Sequence, residues 1–265
     1  MPVLPTTVRG TLALGVFADN LELPLREALR TIADLGVSSF QCFTRGGMAP
    51  AALSQQARAE FRRFYEGLGL TLSATCADLD QGFVDAAANP AKVAHMRAQI
   101  DLAVDLGVGI ITTHVGTIPA RPDGVWGAMR EALNEIGDYA ESRGVIVATE
   151  TGPESGPTLR TLLETLDTTA IRVNFDPANL VMNGYDLDEA LDALLPFIVH
   201  THAKDGFRDP GKWREAPLGT GDVPWPHYVA RLQAAGYTGV YTIEREQAED
   251  RLADVTAGIA FLRQF

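Results

Sequence analysis

Cysteine is scarce: only Cys42 and Cys76 occur. Two thiols so far apart in sequence supply neither a thiolate zinc site nor a disulfide framework. Both are expected as buried thiols in strands, where cysteine packs as a small hydrophobe, with a catalytic thiol as the less favoured alternative. No apolar run approaches the roughly 20 residues that cross a bilayer, so no membrane span is expected. The start, Met1-Pro-Val-Leu-Pro-Thr-Thr7, has no basic segment leading into an apolar stretch and does not read as a signal peptide, which points to the cytoplasm. Basic residues are in deficit, 22 Lys and Arg against 34 Asp and Glu, and the net charge of −12 opposes non-specific attraction to nucleic acid. There is no Pro/Ser-rich linker and no shift in composition. Residues 1–265 are therefore expected to form one domain.

What is present is a recurring junction in which an amphipathic segment stops at glycine and an apolar run begins. It occurs at Leu35-Gly36-Val37, Leu68-Gly69-Leu70, Leu106-Gly107-Val108, Arg143-Gly144-Val145 and Ala235-Gly236-Tyr237. Glycine suits the left-handed position just beyond a helix end, so each junction marks a helix giving way to a strand. Helical periodicity is clear at Leu25, Ala28, Leu29, Ile32 and Leu35, and again at Leu252, Val255, Ile259 and Leu262. Eight strand runs are expected near 11–17, 37–42, 70–76, 108–114, 145–150, 171–176, 197–202 and 239–244. Several are almost continuously apolar, as in strands of a parallel sheet covered on both faces. The first run, Ala13-Leu-Gly-Val-Phe17, carries one glycine and no nucleotide-binding loop, which disfavours an open doubly wound sheet. The expected fold is a single (β/α)8 TIM barrel.

Four consecutive strand runs end on a metal-ligand type: Val145-Ile-Val-Ala-Thr-Glu150, Ile171-Arg-Val-Asn-Phe-Asp176, Phe197-Ile-Val-His-Thr-His202 and Val240-Tyr-Thr-Ile-Glu244. A lone acid at a strand end is more often a helix cap. Four in register on the active-site face of a barrel are harder to dismiss, because clustered carboxylates repel and a divalent cation is the simplest neutralising partner. Glu150, Asp176, His202 and Glu244 are therefore the candidate ligands. Three carboxylates and one imidazole favour Mn2+, Mg2+ or Co2+, and Zn2+ is also compatible.

The sequence resembles the sugar phosphate isomerase/epimerase branch of the xylose-isomerase-like barrel superfamily, from Leu29-Arg-Thr-Ile-Ala-Asp-Leu-Gly36 to the last helix. The most specific segments are His200-Thr-His202-Ala-Lys204-Asp205, Pro217-Leu-Gly-Thr-Gly-Asp222 and Gly236-Tyr-Thr-Gly-Val-Tyr-Thr-Ile-Glu244. The resemblance implies an acid ligand at strands five, six and eight and a histidine at strand seven, the same four residues. It departs from the pattern at Thr220, where the family often has an acid between two glycines, and at Phe40-Gln41-Cys42, where a Glu-Leu ending is usual.

A six-coordinate ion with four protein ligands leaves two positions for adjacent oxygens of a hydroxy-ketone or hydroxy-aldehyde. That suggests proton transfer through a metal-stabilised enediolate. Glu150 and Glu244 are the candidate catalytic bases, and resemblance to ketose epimerases points to the same pair. Candidate substrate contacts are His114, Asn179, Lys204 and Arg208, weighed respectively against a core histidine, a loosely placed polar residue, a barrel salt bridge and a surface loop. His200 is expected one layer below His202. Trp126 is expected to pack its helix, and the Gly219-Thr-Gly221 amides either bind a phosphate or form a tight turn.

The leading function is a metal-dependent isomerase or epimerase of a small-molecule sugar or polyol-ketone. A keto-inositol-type dehydratase is the alternative, using the same ion and base. A DNA repair endonuclease with several zinc ions is disfavoured by the acidic charge and by only five histidines, and a non-catalytic sugar-binding barrel by the two candidate bases. Homo-oligomerisation is left open.

Overall fold

The computed structural model describes residues 11–77, 82–119, 124–209 and 211–265. Eight parallel strands close a barrel. They are β1 (Leu14–Phe17), β2 (Ser39–Phe43), β3 (Thr71–Cys76), β4 (Ile110–Thr113), β5 (Ile146–Glu150), β6 (Ile171–Phe175), β7 (Ile198–Ala203) and β10 (Tyr241–Ile243). Closure is made by β1, which pairs with β2 on one side and β10 on the other. A short antiparallel ribbon, β8 (Asp205–Gly206) with β9 (Glu215–Ala216), interrupts the connection after β7. This is the (β/α)8 architecture expected from the repeat, and each expected run contains or overlaps one barrel strand.

The helices are α1 (Leu25–Asp34), α2 (Gln55–Gly67), α3 (Asn89–Leu106), α4 (Gly124–Arg143), α5 (Gly156–Glu164), α6 (Pro177–Met182), α7 (Leu187–Leu194), α8 (Trp225–Ala234) and α9 (Arg251–Leu262). All five junction glycines adopt positive φ, between 68° and 80°, so each supplies the left-handed residue that turns the chain from helix to strand. Helix α1 buries Ala28, Leu29 and Ile32 completely, and each large aliphatic side chain contributes roughly 1.5–3 kcal/mol of transfer free energy. Helix α9 differs at one end: Val255, Ile259 and Leu262 are buried, but Leu252, in its first turn, is 42% exposed. Two helices rather than one link β6 to β7. Cys42 and Cys76 are buried in β2 and β3, and Trp126 is buried in α4. Among the described residues no helix is long and apolar enough to cross a membrane.

Candidate metal centre and substrate cavity

Parallel strands bring all their C-terminal ends to one face, and there the four strand-end residues converge. Glu150 ends β5, Asp176 follows β6, His202 is the penultimate residue of β7, and Glu244 follows β10. All four are buried, and one ligand-type atom from each lies within 4.8 Å of the others. His202 Nδ1 lies 3.2 Å from Glu244 Oε2, 3.5 Å from Glu150 Oε1 and 3.7 Å from Asp176 Oδ2.

Local folding explains how each group is held. Asp176 caps α6: its Oδ1 accepts the Asn179 N–H at 3.0 Å, while Oδ2 is buried with no hydrogen-bond partner. The two readings of a strand-end acid, helix cap and ligand, thus fall on different oxygens of one residue. Glu150 accepts from Asn179 Nδ2 at 2.8 Å and from Asn174 Nδ2 at 3.2 Å. Glu244 accepts from Lys204 Nζ at 3.0 Å. His202 Nε2 points away from the carboxylates to Gln41 Oε1, 3.1 Å distant.

The electrostatics are those of a site built around positive charge. Burial alone would raise the Glu150 carboxyl, yet the neighbouring His202 and His114 charges outweigh it and leave the group below its usual range. Burial likewise opposes ionisation of Glu244, and His202 and Lys204 overcome it. At Asp176 burial prevails and the carboxyl lies above its ordinary value despite His202 and Lys204. Burial disfavours the His202 cation, but Glu244 and Glu150 hold its pKa well above normal. Three converging buried carboxylates, one of them with an orphaned oxygen, fit a divalent cation, which would satisfy that oxygen and compensate the mutual repulsion.

His200 lies beneath the cluster, as expected from strand periodicity. Its Nδ1–H donates to Asn174 Oδ1 at 2.8 Å and its Nε2 accepts from the Thr242 hydroxyl at 3.1 Å. Burial lowers its pKa to about 3, so the ring is neutral. Asn174 is the register partner of both Glu150 and His200, and it couples the lower layer to the ligand cluster.

Two adjoining chambers open beside the cluster and share His114 and Glu150. One, of about 120 Å³, is bounded by Phe17, Phe43, Asn179, Lys204, Trp213 and Glu244. The other, of about 290 Å³, extends along Val84, Val115, Pro153 and Glu154. His114 Nε2 sits 3.9 Å from Glu150 Oε2. Asn179 reaches the cavity while holding Glu150. Lys204 bounds the smaller chamber, and its ammonium pairs with Glu244 and Glu246 and lies within 4.0 Å of Glu215 and Asp176. Arg208 is not among the residues bounding either chamber; its guanidinium donates to the Gly184 and Tyr185 carbonyls. The Gly219 and Gly221 amides donate to the Asp205 carboxylate, together with Gly206, Val223 and the Trp225 indole. The tight-turn alternative therefore accounts for that loop, with an internal carboxylate in the place of a phosphate.

Two residues of the site, Asn174 and Glu154, were not singled out from sequence, and a third, Gln41, was marked only within the departure at Phe40-Gln41-Cys42. Gln41 and Asn174 sit mid-strand, and their importance arises from cross-strand register. Glu154 is only 5% exposed beside the larger chamber, with Oε2 lacking a hydrogen-bond partner, and burial raises its carboxyl to about 8 against the opposing effect of His114. Its place four residues after Glu150 was the one available signal.

A family model described as xylose isomerase-like TIM barrel matches residues 29–265. A xylose isomerase domain protein from Planctomyces limnophilus superposes with a TM-score of 0.84 at 26% identity, covering 96% of this chain and 97% of its own. A structure of D-psicose 3-epimerase in the presence of D-fructose shares the fold with a TM-score of 0.77 at 16% identity, covering 96% of this chain and 99% of its own. The inosose dehydratase of Geobacillus thermodenitrificans is 26% identical over 148 residues, 49% of this chain and 50% of that protein.

Proposed function

The chain belongs to the xylose isomerase-like TIM barrel family, and we propose that it is a divalent-metal-dependent isomerase or epimerase of an uncharged sugar or related hydroxy-ketone. The observation that carries this reading is the convergence of Glu150, Asp176, His202 and Glu244, with Asp176 Oδ2 buried and without a hydrogen bond. An ion held there, with Mn2+, Mg2+ or Co2+ best suited to the donor set, supplies Lewis acidity that makes the C–H beside a substrate carbonyl easier to deprotonate.

The remaining chemistry belongs to the chain. Glu150 and Glu244 come from β5 and β10, with β6 and β7 between them around the barrel, so they approach a substrate from two sides. One, as the carboxylate, takes the C–H proton, and the other, which must first have taken up a proton from solvent, gives that proton to the opposite face, which inverts the carbon. Both are held in the ionised form needed to accept a proton, oriented by Asn179 and Asn174 on one side and Lys204 on the other. A carboxylate held by cations is a weak base, and burial of both groups offsets part of that loss. His114 is placed to donate to a substrate oxygen, and Phe17, Phe43 and Trp213 present apolar surface to the substrate. Among the described residues bounding the chambers, Lys204 and His114 are the cationic types, and Lys204 already faces four carboxylates. That arrangement supports an unphosphorylated substrate.

A dehydratase acting on a keto-inositol-type ring is the second reading, favoured by the similarity to inosose dehydratase. It uses the same base and ends in expulsion of a hydroxyl. Metal analysis of the purified protein, followed by incubation of the Mn2+-loaded form with neutral ketoses and their phosphates in D2O, tests both. We expect about one ion per chain, and deuterium beside the carbonyl of a neutral ketose with slower labelling of its phosphate. A new ultraviolet-absorbing product would select the dehydratase. No specific ion and no affinity for Mn2+, Co2+, Mg2+ or Zn2+ would remove the basis of either.

A further inference from the structure

We propose that Gln41 is a positioning residue that selects Nδ1 of His202 as the metal-ligating nitrogen. The proposal rests on the metal reading above and concerns a residue that holds no ion itself. Gln41 lies in β2, fully buried, and meets His202 of β7 across the barrel interior. A buried carboxamide has two donors and one acceptor oxygen, so its orientation follows from its other neighbour. Gln41 Nε2 donates to the Thr112 hydroxyl oxygen at 2.8 Å, and that hydroxyl directs its own hydrogen to the Thr75 carbonyl at 3.4 Å. With the amide nitrogen so engaged, Gln41 Oε1 is the atom 3.1 Å from His202 Nε2. Two lone pairs would repel at that distance, so Nε2 carries a hydrogen and donates it.

With Nε2 committed as a donor, Nδ1 is the nitrogen left to offer a lone pair to a cation, which would displace the proton that the carboxylates otherwise hold there; the Asn174 amide, 3.3 Å from both ring nitrogens, favours neither and donates to Glu150 at 3.2 Å. Nδ1 is the atom facing Glu244, Glu150 and Asp176. Donation from the far nitrogen also makes the ligating one more basic, the usual service of a group behind a metal-bound imidazole. A carboxamide provides it without adding a further charge to a buried site that already holds three carboxylates.

The test compares wild type, Gln41→Leu and Gln41→Glu. Mn2+ affinity is measured by calorimetry, and the His202 ring is read by 1H–15N correlation in 15N-histidine-labelled, Zn2+-loaded protein. Leucine removes the acceptor, and we expect Mn2+ affinity to fall by about tenfold or more, with loss of the single-tautomer pattern. Glutamate keeps an acceptor for His202 and can accept from a rotated Thr112 hydroxyl, so it should restore the tautomer and most of the affinity. Thermal unfolding of the metal-free proteins separates a packing defect, which would lower stability without changing the tautomer. Wild-type spectra showing hydrogen on Nδ1 and metal on Nε2 would overturn the assignment without recourse to any variant. Normal Mn2+ binding by Gln41→Leu with an unchanged ring pattern would overturn it as well, while leaving the metal reading intact. Failure of the wild type itself to bind Mn2+ would overturn the metal reading and this proposal together.

Discussion

Replacement of Asp205 by Asn is a near-isosteric change with a large expected cost. Oδ1 of Asp205 accepts from the Gly206 and Val223 amides at 2.9 and 3.2 Å. Oδ2 accepts from the Gly219 and Gly221 amides and the Trp225 indole at 2.9, 3.1 and 3.1 Å. Asn must present an NH2 in place of one oxygen, and a donor cannot satisfy a donor. With the NH2 in the Oδ1 position two N–H groups lose their acceptor; in the other orientation three do. An orphaned buried donor costs about 1–3 kcal/mol, so even the better orientation should destabilise the protein by about 2–6 kcal/mol. Urea unfolding at neutral pH, with equal slopes for the two proteins, measures this directly. A loss below about 1 kcal/mol would refute the claim that this carboxylate holds the 206–225 segment together. The same occupancy predicts that millimolar inorganic phosphate leaves the wild-type melting temperature unchanged.

Glu154→Gln should stabilise the protein increasingly as pH rises. Burial lifts the folded-state carboxyl from 4.5 to about 8, so between those values the folded chain retains a proton that the unfolded chain releases, and stability falls with increasing pH. The variant escapes this, and its advantage should widen by up to about 1.4 kcal/mol per pH unit in denaturant titrations; an advantage constant from pH 5 to 8 would sink the idea. His202→Ala should weaken Mn2+ binding by at least about tenfold and His200→Ala by less, because only the former reaches the cluster; equal losses would contradict the layering. Glu150→Gln and Glu244→Gln should each lower turnover of an accepted ketose by about 10²-fold or more, with metal affinity falling less. Retention of wild-type deuterium exchange in either variant would remove that residue from the proton pathway.

The barrel was legible because its signals are local. Each glycine junction needs only a helix end and the residue after it, and alternation of helix with apolar strand leaves few architectures open. The four strand-end residues were legible for a related reason: a parallel barrel converts a position along a strand into a position on one face, so terminal residues of separate strands become neighbours. Gln41 and Asn174 were illegible for the converse reason. Their partners lie 161 and 28 residues away for His202, and nothing local says which strand interiors face each other at which height. Lys204 shows a third case. It bounds the smaller chamber, as a substrate contact would, but the carboxylates around its buried ammonium include Glu215 and Glu246, contributed by β9 and the loop after β10, which no motif in the sequence pairs with it.

The connection after β7 links these points. It runs from Asp205, which gathers five donors, through Trp213, which bounds the smaller chamber, to Glu215, which accepts from Arg245 and the Glu246 and Gln247 amides while contacting Lys204. Lys204 in turn orients Glu244, one of the two proposed bases. A single ribbon therefore ties a chamber wall to the charge that holds a base ionised. Buried charge networks are costly to disrupt at one member, because the partner left behind is desolvated and unpaired. The geometry of Glu244 consequently depends on Asp205 and Glu215 as well, which lie outside the four ligand positions and bound neither chamber. A sequence comparison confined to the four ligand positions would overlook them, although they determine how strongly that carboxylate can hold a proton.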